Sequence, residues 1–145
     1  MKLFPVSVLL FAVISCTYHA GNTSSEIPKS DKASEITKSI ISENSIIDLP
    51  FWKILIQKGN QAVSAEELAQ AKAALYRFYQ HVKVQDNYYT CDLNSASDIN
   101  VSEEIFNDLM NNLKEINAFV KEIREEGKEI VLPEFTEDYL NSLLN

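Results

Sequence analysis

The sequence predicts an all-α protein, a compact bundle of four to five helices, on three observations. Residues 102–127 place Ile105, Leu109, Leu113, Ile116, Val120 and Ile123 at steps of three and four, which keeps them on one helical face. Ser64-Ala65-Glu66-Glu67 has the form of a capping box ahead of another apolar-periodic run. Three Gly and four Pro in 145 residues leave little material for a many-turned β fold. Helical stability comes mostly from packing on the apolar stripe. The expected packing therefore makes the two long helices, about 65–85 and 102–127, antiparallel neighbours.

The chain begins differently. Residues 1–15, MKLFPVSVLLFAVIS, set one Lys before an apolar run that closes on small residues. The run is too short to span a bilayer, and its order is that of a secretory signal. Pro5 and the extreme N-terminal position argue against a buried core element.

The junction Val13-Ile14-Ser15-Cys16 resembles the lipobox of bacterial lipoproteins, in which an apolar residue, a small residue and a Cys end the signal. The resemblance covers residues 1–16. It implies that Cys16 becomes the mature N-terminus and carries the lipid. Val13 stands where Leu is commonest in that family, and Ile14 is bulkier than usual. Ordinary signal cleavage at the same bond also suits Val13 and Ser15, and would leave Cys16 a free or disulfide-bonded thiol. The one other cysteine is Cys91. With Cys16 acylated, Cys91 is a lone thiol, tolerable if buried; otherwise a Cys16–Cys91 bridge is the natural pairing. Acylation is the expectation.

Residues 16–30 read as the lipidated N-terminus and a flexible linker, with Gly21, Pro28 and no periodicity. As a random coil the linker averages about 20 Å end to end, enough to hold a small domain clear of a membrane. In lipoproteins of the Bacteroidota, acidic residues after the Cys resemble a surface-export signal. Thr17-Tyr18-His19-Ala20 has none. The comparison implies the outer membrane, facing the periplasm; a secreted soluble protein is the alternative.

The helical domain is expected over 31–145. A first helix, 31–47, groups Ile36, Ile40, Ile41 and Ile47. Pro50 suits the first position of a short apolar helix, 51–58, that carries the lone Trp52 and ends at Gly59. Its apolar residues read as a core plug more readily than a ligand face. The capped helix follows, with Val63 and Leu68 at staple positions and Leu68, Ala71, Leu75, Phe78, Tyr79 and Val82 on its stripe. It is expected to run to about 84. Residues 86–101 read as a polar loop. Ser102 opens the 102–127 helix, with Val101 and Phe106 as its staple and Gly127 as its stop. Ile130-Val131-Leu132 suggests a short extended segment, and Thr136 caps a last helix over 137–144.

The inventory for chemistry is thin. The only histidines are His19 and His81, and neither HExxH nor CxxC occurs, so a zinc site lacks ligands. Glycines are too few for a phosphate cradle. Residues 92–103 resemble a calcium loop of the EF-hand or dockerin type, with Asp92, Asn94, Asp98, Asn100 and Glu103 at positions one, three, seven, nine and twelve. Ala96 removes the fifth-position ligand, Ser97 replaces the turn Gly, and one loop stands where a dockerin has two. Helix capping explains these residues more simply.

The net charge is −8, and loss of residues 1–15 removes Lys2 alone, leaving 12 basic against 21 acidic residues, or −9. Such a chain repels phosphate backbones, which sets nucleic acid aside. The expectation is therefore a membrane-anchored helical lipoprotein, non-catalytic and without a cofactor, that binds a protein partner in the cell envelope. Small helical lipoproteins of this general class include immunity proteins that block cell-wall-degrading toxins, and envelope assembly factors. The expected working surface carries Asp108, Glu115 and Glu122 on its rim. The alternatives are an extracytoplasmic small-ligand or calcium-binding module, favoured by a pocket of Trp52 with Tyr76, Tyr88 and Tyr89, and a hydrolase using His81 and Cys91.

Overall fold

The computed structural model describes residues 29–48 and 63–145. Cys16, the linker through residue 28, the expected helix 51–58 and Trp52 lie outside the described residues. In order, the elements are α1 (Lys29–Ser42), α2 (Ala65–Tyr79), β1 (Val82–Gln85), β2 (Tyr88–Cys91), a 3-10 helix (Ala96–Ile99), α3 (Glu103–Glu125) and α4 (Glu137–Leu143).

The expected all-α bundle is corrected. The described residues are 60% helical with four helices, but they carry a two-stranded antiparallel sheet and form no clear bundle. The helix expected to reach about 84 stops at Tyr79, where Gln80 is its C-cap. Beyond it Val82-Lys83-Val84-Gln85 and Tyr88-Tyr89-Thr90-Cys91 pair around a two-residue turn, Gln85 opposite Tyr88. Asp86 and Asn87 have φ of 51° and 61°, the left-handed pair that a tight hairpin of the favoured twist requires. β-branched and aromatic residues beside an Asp-Asn turn prefer a strand to a further helical turn.

The long helices are also not the expected antiparallel pair. The main helix–helix seam is α1 on α2, while α3 lies against β2 and the 3-10 helix. Small residues explain the seam. Ala33 and Thr37 of α1 and Ala69 and Ala73 of α2 are all fully buried. The Thr37 hydroxyl donates to Ala33 O at 2.7 Å and lies 3.5 Å from Ala69 O, so the two backbones approach closely. Bulky side chains instead fill the space below α2: Phe78, Tyr79, Leu109 and Leu113 belong to one core with Tyr89 and Leu93.

α1 ends five residues before the expected boundary. Ile47, 2% exposed, instead forms a parallel bridge with Val101. Ile47 N–H donates to Asn100 O at 2.9 Å, and Ser102 N–H donates to Ile47 O at 2.8 Å. This ties the exit of α1 to the start of α3.

The caps are as expected. Ser64 Oγ accepts from Glu67 N–H at 3.1 Å, and Glu67 Oε2 accepts from Ser64 N–H at 2.8 Å. Ser102 accepts from Ile105 N–H, and Thr136 accepts from Tyr139 N–H. Ser64→Ala should lower stability by roughly 0.5–2 kcal/mol in urea denaturation, because it strips an acceptor from an exposed helix start.

Candidate functional site

The hairpin sets the candidate chemistry. β2 returns Asp92 to the foot of β1, where Asp92 N–H donates to His81 O at 3.3 Å. The side chains then meet, His81 Nδ1 lying 2.8 Å from Asp92 Oδ1. Both are substantially exposed, at 39% and 61%, so solvent screens the pair. Cys91, opposite Val82 in the register, is half-buried, packed against the core and free of any disulfide among the described residues. Burial pushes its pKa up, which lowers the thiolate fraction a nucleophile needs. The structure thus joins His81 to a carboxylate and turns Cys91 toward the core.

The five residues of the calcium-like loop take separate tasks. Asp92 serves His81. Asp98 Oδ2 accepts from Asn94 N–H at 2.9 Å and Ser95 N–H at 3.0 Å, and Oδ1 accepts from Ser95 Oγ at 3.1 Å. These bonds, with those from the Asn94 and Ser95 backbones foremost, hold the Asp98 carboxyl below the usual carboxylate range. Asn100 is left-handed at φ 50° and ends the 3-10 helix. Glu103 lies exposed in the first turn of α3. The loop is a pair of helix caps. Among the described residues no group of three His, Cys, Asp or Glu is placed to hold a metal ion.

The tyrosines build the core more than they line a groove. The Tyr79 ring stacks on Phe135 with centroids 4.0 Å apart, and Tyr139 meets Tyr79 edge-on at 6.2 Å. Tyr89 lies 5.2 Å from Phe135, and its hydroxyl donates to Pro133 O at 2.9 Å. Tyr88 lies under the Arg124 guanidinium at 5.3 Å, a cation–π contact. Tyr76 is half-buried against the core.

Side chains that sequence reading passed over hold these parts together. The Asn117 amide bonds both backbone groups of Tyr89, accepting from N–H and donating to C=O, each at 2.8 Å. Asn87 does the same for the chain after α3: its Oδ1 accepts from Leu132 N–H at 3.2 Å, and its Nδ2 donates to Ile130 O. Arg77, 7% exposed, donates four hydrogen bonds, to the carbonyls of Ile40, Ser45, Ile99 and Asn100. A lone Arg within an apolar stripe is the signal that marks such a residue; for Asn87 and Asn117 the sequence gives no signal.

Charge is a further surface feature. α3 carries Glu103, Glu104, Asp108, Glu115, Glu122 and Glu125 against Lys114, Lys121 and Arg124. Glu115 and Glu122 are exposed and Asp108 half-buried. Lys121 reaches Glu125 at 3.8 Å.

No protein-family model matches the chain, and no curated protein or solved structure matches it.

The tyrosine core sets an alkaline limit. Burial pushes Tyr89 from 10.0 up to about 12 and raises Tyr79 and Tyr139 as well. The folded state then holds protons that the unfolded state releases. This contribution is intact below pH about 10 and is lost as pH climbs toward about 12. Urea midpoints should therefore fall across that window, and Tyr89→Phe should flatten the fall. An unchanged slope in the variant would contradict the assignment.

Proposed function

We propose that the protein is a lipoprotein held to the cell envelope through Cys16, non-catalytic, and bound to another protein on the periplasmic side of the outer membrane. The observation that carries the reading is the junction Val13-Ile14-Ser15-Cys16 at the end of a signal-like run.

Protein binding draws support from what the domain offers at its surface. The described tyrosines are spent on the core, and α3 presents an acidic flank with Glu115 and Glu122 exposed. Carboxylates at the rim of an interface steer a basic partner and act mainly on association rate. The hydrolase reading is weaker, because the Cys91 thiol is raised by burial. A calcium module is weaker too, because Asp98 spends its oxygens on Asn94 and Ser95.

The test takes the full chain and a Cys16→Ser variant in the native envelope. The variant should leave the membrane fraction and lose fatty-acid labelling; unchanged retention with unchanged labelling contradicts the anchor. Association with a captured protein partner should slow as salt approaches physiological strength, where screening shortens to about 8 Å. Reversing Glu115 and Glu122 to Lys should slow it further. Salt-independent association, unmoved by those reversals, contradicts the acidic interface.

A further inference from the structure

We infer that residues 136–145 form a releasable strap that controls access to Lys72 and to the seam between α1 and α2. The strap is lightly built. α4 has seven residues, too few to stand as a helix without packing. Its one fully buried side chain is Leu143, at 1% exposed, with Tyr139 and Leu140 partly buried against the core. Past that residue the hold is polar. Leu144 O accepts from Ser34 Oγ, Asn145 O accepts from Lys72 Nζ at 2.6 Å, and Asn145 Oδ1 accepts from Lys38 Nζ at 3.3 Å. Ser34 and Lys38 belong to α1 and Lys72 to α2, so the strap lies across the seam.

A hinge position follows from where the chain is pinned. Asn87 holds Ile130 and Leu132, and the Tyr89 hydroxyl holds Pro133. Phe135 stacks on Tyr79. Residues 128–136 form neither helix nor strand. The chain is fastened up to Phe135, and the strap begins after it, at the Thr136 cap. The strap can swing away with the hairpin, α3 and the Tyr79–Phe135–Tyr89 rings left in place, Tyr139 leaving its contacts with Tyr79 and Phe135.

Lys72 supplies the reason for release. It is 7% exposed, and burial disfavours its charged form. Opening the strap returns the ammonium to water and offsets part of the cost of withdrawing Leu143, Leu140 and Tyr139. Local openings below global unfolding are general in proteins and favour lightly packed elements.

The test is pulsed acetylation of lysines in the full chain, held in detergent, over a urea series well below the unfolding midpoint. Backbone exchange at Leu75 and Phe78 in α2 supplies the global reference. Opening at Lys72 is expected at least ~10-fold more often than global opening, with a shallow urea dependence because little surface is exposed. Acetylation at the global rate with the steep urea dependence of full unfolding would overturn the inference. So would acetylation of Lys72 as fast as that of exposed Lys83, because the strap would then not be closed.

Discussion

The described fold depends on the buried guanidinium of Arg77. Nη2 donates to Ile40 O at 2.8 Å, and Nη1 donates to Ser45 O at 2.9 Å and to Ile99 O and Asn100 O at 3.2 Å each. Nη1 has two hydrogens and serves three carbonyls, so one bond is shared. The four acceptors come from the end of α1, the turn after it and the end of the 3-10 helix. Carbonyls at helix ends lack the regular intrahelical donors and carry partial negative charge; here Ile40 O and Asn100 O also accept from Ser45 N–H and Ile47 N–H. One cation satisfies them together. Burial alone lowers the Arg77 pKa, yet guanidinium stays charged through the physiological range. The parallel bridge of Ile47 with Val101 lies beside this hub, so the entry to α3 is set by a side chain of α2.

The same device, a side chain closing open backbone groups, explains why the molecule is not a bundle. In a bundle, α3 would lay its stripe on a helix, which has no open edge. Here it meets β2, and strands have open edges. Asn117 closes the edge at Tyr89 with two hydrogen bonds. Asn87 closes the chain after α3 in the same way. Leu109 and Leu113 then pack into a core shared with the hairpin.

Much of this was legible and some was not. Every helix start with a Ser or Thr cap was readable, because capping is local: Ser64, Ser102 and Thr136 each accept from an N–H three residues on. The periodic stripe of α3 was readable, with Ile105, Leu109, Leu113 and Val120 buried. The end of α2 was misread because Val82 continues the helical spacing while also beginning a strand. The signal against the helix was Asp86-Asn87 between two alternating runs, a short hairpin pattern. The α1–α2 seam was hidden because Ala and Thr carry little periodic signal, although they allow the closest approach. In the candidate site, Asp98 as a cap was legible, whereas the His81–Asp92 pair depended on the hairpin register.

The proposed role at the envelope needs a domain that holds its shape beside a membrane, and Arg77 is where that shape is fixed. Arg77→Met keeps a long apolar stem and removes every guanidinium donor, so Ser45 O and Ile99 O lose this partner while Ile40 O and Asn100 O keep only Ser45 N–H and Ile47 N–H. The direct measurement is urea unfolding of this variant combined with backbone exchange at Ile47 and Ser102. The account predicts a loss of roughly 3–5 kcal/mol, the scale of stranding buried polar partners, with protection of those two amides falling ahead of the rest. A variant within about 0.5 kcal/mol of the parent, with Ile47 and Ser102 equally protected, would contradict it.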